Sequence, residues 1–109
     1  MIIEQMSIVV PQKKRQQLGS ALASFVGPTQ VQPGCLSSRL FESWANHCEL
    51  CVETRWSSEA DLIHHLRSDA YRQLLQLMEL SSTPPVIEFF AVVRVQGLEL
   101  VQSARQLAE

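Results

Sequence analysis

Hydrophobic and polar positions along this chain change period several times, and each change marks an element. Ile2 to Val10 is rich in β-branched residues and too short for an independent helix, which predicts a first strand. Pro11 follows where a helix can begin, because the first helical residues need no N–H donor. From Lys13 to Val26 the apolar residues Leu18, Ala21, Leu22 and Phe25 recur at helical spacing, and Gly27-Pro28 is expected to stop that helix. Pro33-Gly34 predicts a turn into a second strand, Cys35 to Glu42. A loop around Trp44 to His47 leads to a third strand, roughly Cys48 to Trp56. In it Leu50, Val52, Thr54 and Trp56 alternate with Glu49, Cys51, Glu53 and Arg55.

Ser58 and Asp61 stand at capping-box spacing, in which each side chain satisfies a free backbone donor. Leu62, Ile63 and Leu66 form an apolar stripe behind them. Ser68-Asp69 reads as a second cap, and Tyr71, Leu74, Leu75 and Met78 resume the helical period, so a bent or two-part helix is expected from Glu59 to about Leu80. The run Ser81 to Pro85 ends it, since proline cannot continue the ladder of N–H donors. Val86 to Val95 predicts a fourth strand broken by Gly97, and Leu98 to Ala108 a short amphipathic helix.

The order strand, helix, strand, strand, helix, strand is the split βαβ, ferredoxin-like pattern of an α+β fold. It implies a four-stranded antiparallel sheet with both main helices on one face. The fourth strand adds a complication. Ile87, Phe89, Ala91, Val93 and Val95 point one way; Val86, Phe90 and Val92 point the other, with charges only at Glu88 and Arg94 near its ends. The first strand likewise places Ile3 and Val9 on one face and Met6, Ile8 and Val10 on the other. An open sheet face is ordinarily polar. Here it calls for a cover, and a second copy packed sheet on sheet, a homodimer, is the expected one; the tail helix folded across the face is the alternative.

Composition narrows the class. The 109 residues fit one domain, 1–109, and 46% hydrophobic with 18% charged residues describe a globular chain. A formal net charge of -2 argues against nucleic acid or an anionic membrane surface as partner. No apolar run approaches a membrane span, and the N-terminus lacks a basic n-region, so a cytoplasmic protein is expected. Three cysteines, Cys35, Cys48 and Cys51, are read as reduced thiols. Cys48-x-x-Cys51 is a poor zinc site, because residues three apart on a strand face opposite ways. No phosphate-binding or dinucleotide motif indicates a nucleotide cofactor.

Several segments together resemble the antibiotic biosynthesis monooxygenase family: PGCLSSRLFE, then RWSSEADLIHHLRSDAYRQLL, then ELSSTPPVIEFFAV and GLELVQSAR. The element Trp56, Ser58, His65, Leu66 and Ser68 is the most specific part. The resemblance implies a dimeric α+β barrel, a pocket between sheet and helices in each subunit, and oxidation of a quinol or phenolic aromatic by dioxygen without metal or flavin. Other branches are haem-degrading enzymes, isomerases of small metabolites and proteins without known activity, so family alone does not fix the reaction. The haem-degrading branch carries tryptophan where His65 stands and an iron-binding histidine where Leu75 stands. Two departures concern the site. Ala70 occupies the place of a second family histidine, and Thr54 the place of a carboxylate.

His65 is the candidate general base, at the edge of the stripe of Leu62, Ile63 and Leu66, where it either reaches a pocket or merely packs. Trp56 and Tyr71 either line a pocket for a small aromatic molecule or fill the core. His64 points away and is expected in solvent. Arg39 and Arg55 are expected to pair with Glu53 or Glu49 across strands, and Lys13, Lys14 and Arg15 to form a solvated run. The readings left open are a cofactor-free monooxygenase, a non-catalytic small-molecule-binding dimer, and an isomerase.

Overall fold

A computed structural model describes residues 1–107 of the chain. The elements are β1 (Ile2–Val9), α1 (Arg15–Gln30), β2 (Cys35–Glu42), β3 (Glu49–Trp56), α2 (Glu59–Leu66), α3 (Asp69–Met78), β4 (Val86–Ala91) and α4 (Leu98–Leu107), with one 3-10 turn at Gln12–Lys14 ahead of α1. Ala108, expected at the end of the last helix, lies outside the described residues. The strands form one four-stranded sheet in the order β2-β3-β1-β4, with every neighbour antiparallel. This is the ferredoxin-like α+β architecture.

The two-residue period of β1 and β3 decides which face is covered. Met6, Ile8, Leu50, Val52 and Trp56 are buried on the helix side, together with Val10 just past β1. Leu18, Leu22 and Val26 of α1 and Tyr71, Leu74 and Met78 of α3 close over them at helical spacing. Burying each large apolar side chain in such a core contributes about 1.5–3 kcal/mol. The helical segment after β3 is two helices, each with its own serine cap: Ser58 Oγ accepts from the Asp61 N–H and Ser68 Oγ from the Tyr71 N–H. The Ser58 box is half of the expected one, because the Asp61 carboxylate accepts from the Ser57 and Ser58 hydroxyls instead of the backbone.

Three expectations need correction, and the alternative cover for the open face falls away. Helix α1 runs through Pro28 to Gln30. Gly27 has no Cβ to clash with the proline ring, and only one helical donor is lost so close to the end. Strand β4 stops at Ala91, short of Val95. Its partner β1 begins at Ile2, which pairs with Ala91, and the last bond runs from the Val92 N–H to the Met1 carbonyl. Val93 and Val95 therefore lie beyond the sheet, exposed. The shorter strand also puts Glu88 in its middle, so the open face is polar at its centre. Finally, α4 does not cover that face: its side chains from Leu98 to Gln106 are exposed, and the molecule is drawn out to 52 × 34 × 22 Å.

Candidate active site

The site starts from a break in the alternation of β1. Ile2, Met6 and Ile8 share the covered face, and the residue between Ile2 and Met6 on that face is Glu4. The strand register sets Ser38, Thr54, Glu4 and Phe89 in one row across the sheet. Ser38 and Thr54 satisfy each other, hydroxyl to hydroxyl at 3.0 Å. The Glu4 carboxylate, 4% exposed, faces the helices instead.

Above it stands His65 of α2, 1% exposed, with Trp56 at 0% and Tyr71 at 5%. The histidine ring lies 4.6 Å from the Trp56 ring, 5.1 Å from Tyr71 edge-on, and 5.9 Å from Phe25. His65 Nδ1 donates to Gln32 Oε1 at 2.9 Å, the direction an amide oxygen requires. That leaves Nε2 with its lone pair 3.8 Å from Glu4 Oε1, too far for a hydrogen bond. Gln32 is held by the turn between α1 and β2. Gly34 in that turn has φ 80, and a Cβ there would run into the Asp61 carboxyl, so glycine is required on both counts.

Burial governs the charges. Desolvation pushes His65 down to about 4, so the ring is neutral at physiological pH. Burial raises Glu4 as well, partly opposed by the Tyr71 hydroxyl and the Trp56 indole N–H beside it. Tyr71 is raised by its own burial and by the neighbouring Glu4. Among the described residues three buried side-chain atoms have no hydrogen-bond partner: Glu4 Oε2, His65 Nε2 and Trp56 Nε1. Unpaired buried polar atoms are costly and uncommon. Here two acceptors and one donor of this kind gather among aromatic rings. A neutral imidazole in such a place can accept a proton, the carboxylate can stabilise the resulting cation, and the indole N–H can donate to an oxygen anion.

On the β4 side lies a cavity of about 330 Å³ lined by Ile2, Glu59, Leu62, Ile63, Leu66, Phe89 and Ala91. Leu62 and Leu66 flank His65 on α2, and Phe89 is the cross-strand neighbour of Glu4.

The structure brings His65, Trp56 and Tyr71 together. His65 is buried and Ile63 is turned outward, contrary to their expected places in the stripe, while Leu62 and Leu66 face inward as expected; the ring bonds the half-buried Gln32. His64 is exposed. Glu4 and Gln32 were not singled out from the sequence. Glu4 had a signal, a carboxylate in the apolar phase of a strand, whereas Gln32 had none. Thr54 is not left without a carboxylate, since Glu4 stands directly opposite it. Arg55 binds Glu53 along its own strand. Arg39 makes no ion pair among the described residues, and Arg15 pairs with Glu42 instead of standing solvated. Cys48 is buried in the core and Cys51 is half-buried on the opposite face. Among the described residues no three His, Cys, Asp or Glu side chains are grouped to hold a metal ion, and no helix is long and apolar enough to cross a membrane.

Residues 1–77 match the family model of the antibiotic biosynthesis monooxygenases. No curated protein matches the sequence. Among solved structures, a Deinococcus radiodurans protein described as an antibiotic biosynthesis monooxygenase superposes with a TM-score of 0.83 at 15% identity, over 89% of this chain and 97% of its own. A Mycobacterium tuberculosis protein gives 0.78 at 25% identity, over 88% and 98%. A conserved protein of Methanosarcina mazei gives 0.75 at 22% identity, over 82% and 89%.

Proposed function

We propose, from the premise that this chain belongs to the antibiotic biosynthesis monooxygenase family, that it oxidises a quinol-like or phenolic aromatic with dioxygen, without metal or flavin, as a homodimer joined through the open sheet faces. The observation that carries the reading is the neutral His65, its Nε2 unpaired beside Glu4 and Trp56 in a site closed to water.

The aromatic enters by the cavity between α2 and β4 and displaces the close ring packing, so that its hydroxyl meets His65 Nε2. His65 takes the phenolic proton, and Glu4 stabilises the imidazolium. The phenolate passes an electron to dioxygen, while exclusion of water protects the reactive pair. For a phenol with an open para position, one oxygen atom enters the ring and the other leaves as water, with the ring C–H and the O–H supplying its hydrogens. The product is a quinone. Trp56 Nε1 donates to the oxygen that carries the developing charge.

Oxygen uptake with a panel of reduced quinones and hydroxynaphthalenes tests this. The expected result is substrate-dependent uptake without added metal or flavin, falling roughly 10²-fold or more in His65→Ala. The tight packing of Phe25, Trp56 and Tyr71 on His65 favours a second reading, a non-catalytic small-molecule-binding dimer. Uptake no faster than the protein-free rate, with ligands still quenching tryptophan fluorescence, would decide for it.

A further inference from the structure

The unpaired atoms beneath the helices form a pattern that one hydroxyl does not complete. Two are acceptors, His65 Nε2 and Glu4 Oε2, and one is a donor, Trp56 Nε1; among the described residues none of them has a partner. Gln32 takes the Nδ1 proton of His65, which keeps Nε2 an acceptor. The Tyr71 hydroxyl lies beside the Glu4 carboxylate, yet Oε2 is left over. The imidazole and the carboxylate stand side by side, with Nε2 3.8 Å from Oε1, and both side chains are buried.

A phenol brings a single O–H and satisfies one acceptor, leaving the other buried and unpaired at a cost. A ring with hydroxyls at opposite ends brings two donors, but the second points away from the carboxylate. The cavity on the β4 side offers that second hydroxyl nothing, because its walls are Ile2, Leu62, Leu66 and Phe89 and its one charged lining residue, Glu59, is exposed. A hydroxyl held against those walls would be desolvated without a partner. Two hydroxyls on neighbouring ring carbons avoid both costs. One donates to His65 Nε2 and the next to Glu4, their oxygens accept from Trp56 Nε1, and the bare edge of the ring faces the apolar walls.

We infer that the site selects an ortho-dihydroxy aromatic, a catechol-type ring, over a lone phenol or a para-quinol, with His65 reading one hydroxyl and Glu4 its neighbour. The inference rests on the oxygenase reading above and adds the place of the second hydroxyl. The oxidation is the one already written: the reacting O–H and the para C–H lose their hydrogens, one oxygen atom enters the ring, the other leaves as water, and the second hydroxyl is retained. Glu4 is thereby a specificity-determining residue as well as the partner of the imidazolium.

Ligand binding without turnover tests it. Of the two tryptophans, Trp44 is fully exposed, so Trp44→Phe leaves Trp56 as the one indole reporting on the site. Dissociation constants are read from its quenching, under argon, for catechol, catechol monomethyl ether, hydroquinone and phenol. The series is repeated with Glu4→Leu added, and circular dichroism confirms the fold. Catechol should bind about tenfold or more tighter than the other three, and Glu4→Leu should shrink that preference to within about threefold. Should Glu4→Leu fail to fold, the four-ligand series on Trp44→Phe decides alone. Equal affinities, or no quenching by any of the four, overturn the inference; equal affinities mean that a trapped water serves the three atoms, and oxygen uptake with para-quinols would still uphold the oxygenase. A catechol preference that survives Glu4→Leu overturns the role given to the carboxylate. A catechol preference lost in Glu4→Leu, with no oxygen uptake in air, upholds the inference and sinks the oxygenase reading.

Discussion

On the covered face of the sheet, Ser38, Thr54 and Glu4 lie side by side beneath the helices; one residue further along each strand, Arg39, Glu53 and Gln5 lie side by side in the open. The chemistry of the two rows is similar and their behaviour is not. In the open row Gln5 and Arg55 donate to the Glu53 carboxylate, and each such contact is worth little. In the covered row, burial raises Glu4, drives His65 to its neutral form and leaves three polar atoms unpaired. A single step along a strand thus separates a solvated charge ladder from a site with a base held ready. The difference lies in what packs on each face, not in the residue types.

Substitutions on the two faces should separate accordingly. Trp56→Ala empties the most deeply buried ring and should cost about 3–5 kcal/mol in urea unfolding. Arg55→Ala, its neighbour on the other face, should cost less than about 1 kcal/mol at the same protein concentration. Equal losses would erase the contrast.

Acid should act through the covered face next. His65 falls from an unfolded value of 6.5 to about 4 in the fold. The unfolded chain therefore takes up the proton first, and this contribution to stability is complete above pH 6.5 and lost as pH falls toward 4. The loss is on the order of 3 kcal/mol. His65→Leu should abolish that slope in denaturation curves collected across this window. Glu4 carries the opposite sign. Its raised value favours the folded state at low pH, and that advantage declines as pH rises above the ordinary 4.5. Glu4→Gln should accordingly gain on the parent with rising pH.

The smallest effect on the covered face is expected at the hydroxyl pair. Thr54→Val leaves the buried Ser38 hydroxyl without its partner, at a cost of about 1–2 kcal/mol, read as a lower midpoint in scanning calorimetry. Ser7→Val, half-buried on the open face, should shift the midpoint by less.

Much of the fold was legible because it rests on local rules. The alternation in β1 and β3, the serine caps at Ser58 and Ser68 and the proline run after α3 each act over a few residues, and each appears in the structure at or close to its predicted place. The breaks came where a distant partner decides. Strand β4 ends at Ala91, opposite the first residue of β1, and no pattern within residues 86 to 95 records that.

The site divides in the same way. From the sequence alone came His65, Trp56 and Tyr71 as chemistry-bearing residues near one another and the two-residue alternation of β1 and β3, but not Glu4 as a member of the site. Only the tertiary structure decided that Glu4 stands opposite Thr54, that Gln32 holds the proton on Nδ1 of His65, and that the open face is charged at its centre. The physical reason is range. Periodicity and capping are set by neighbours in the chain, whereas pKa values, tautomers and strand ends depend on groups brought together from residues dozens of positions apart.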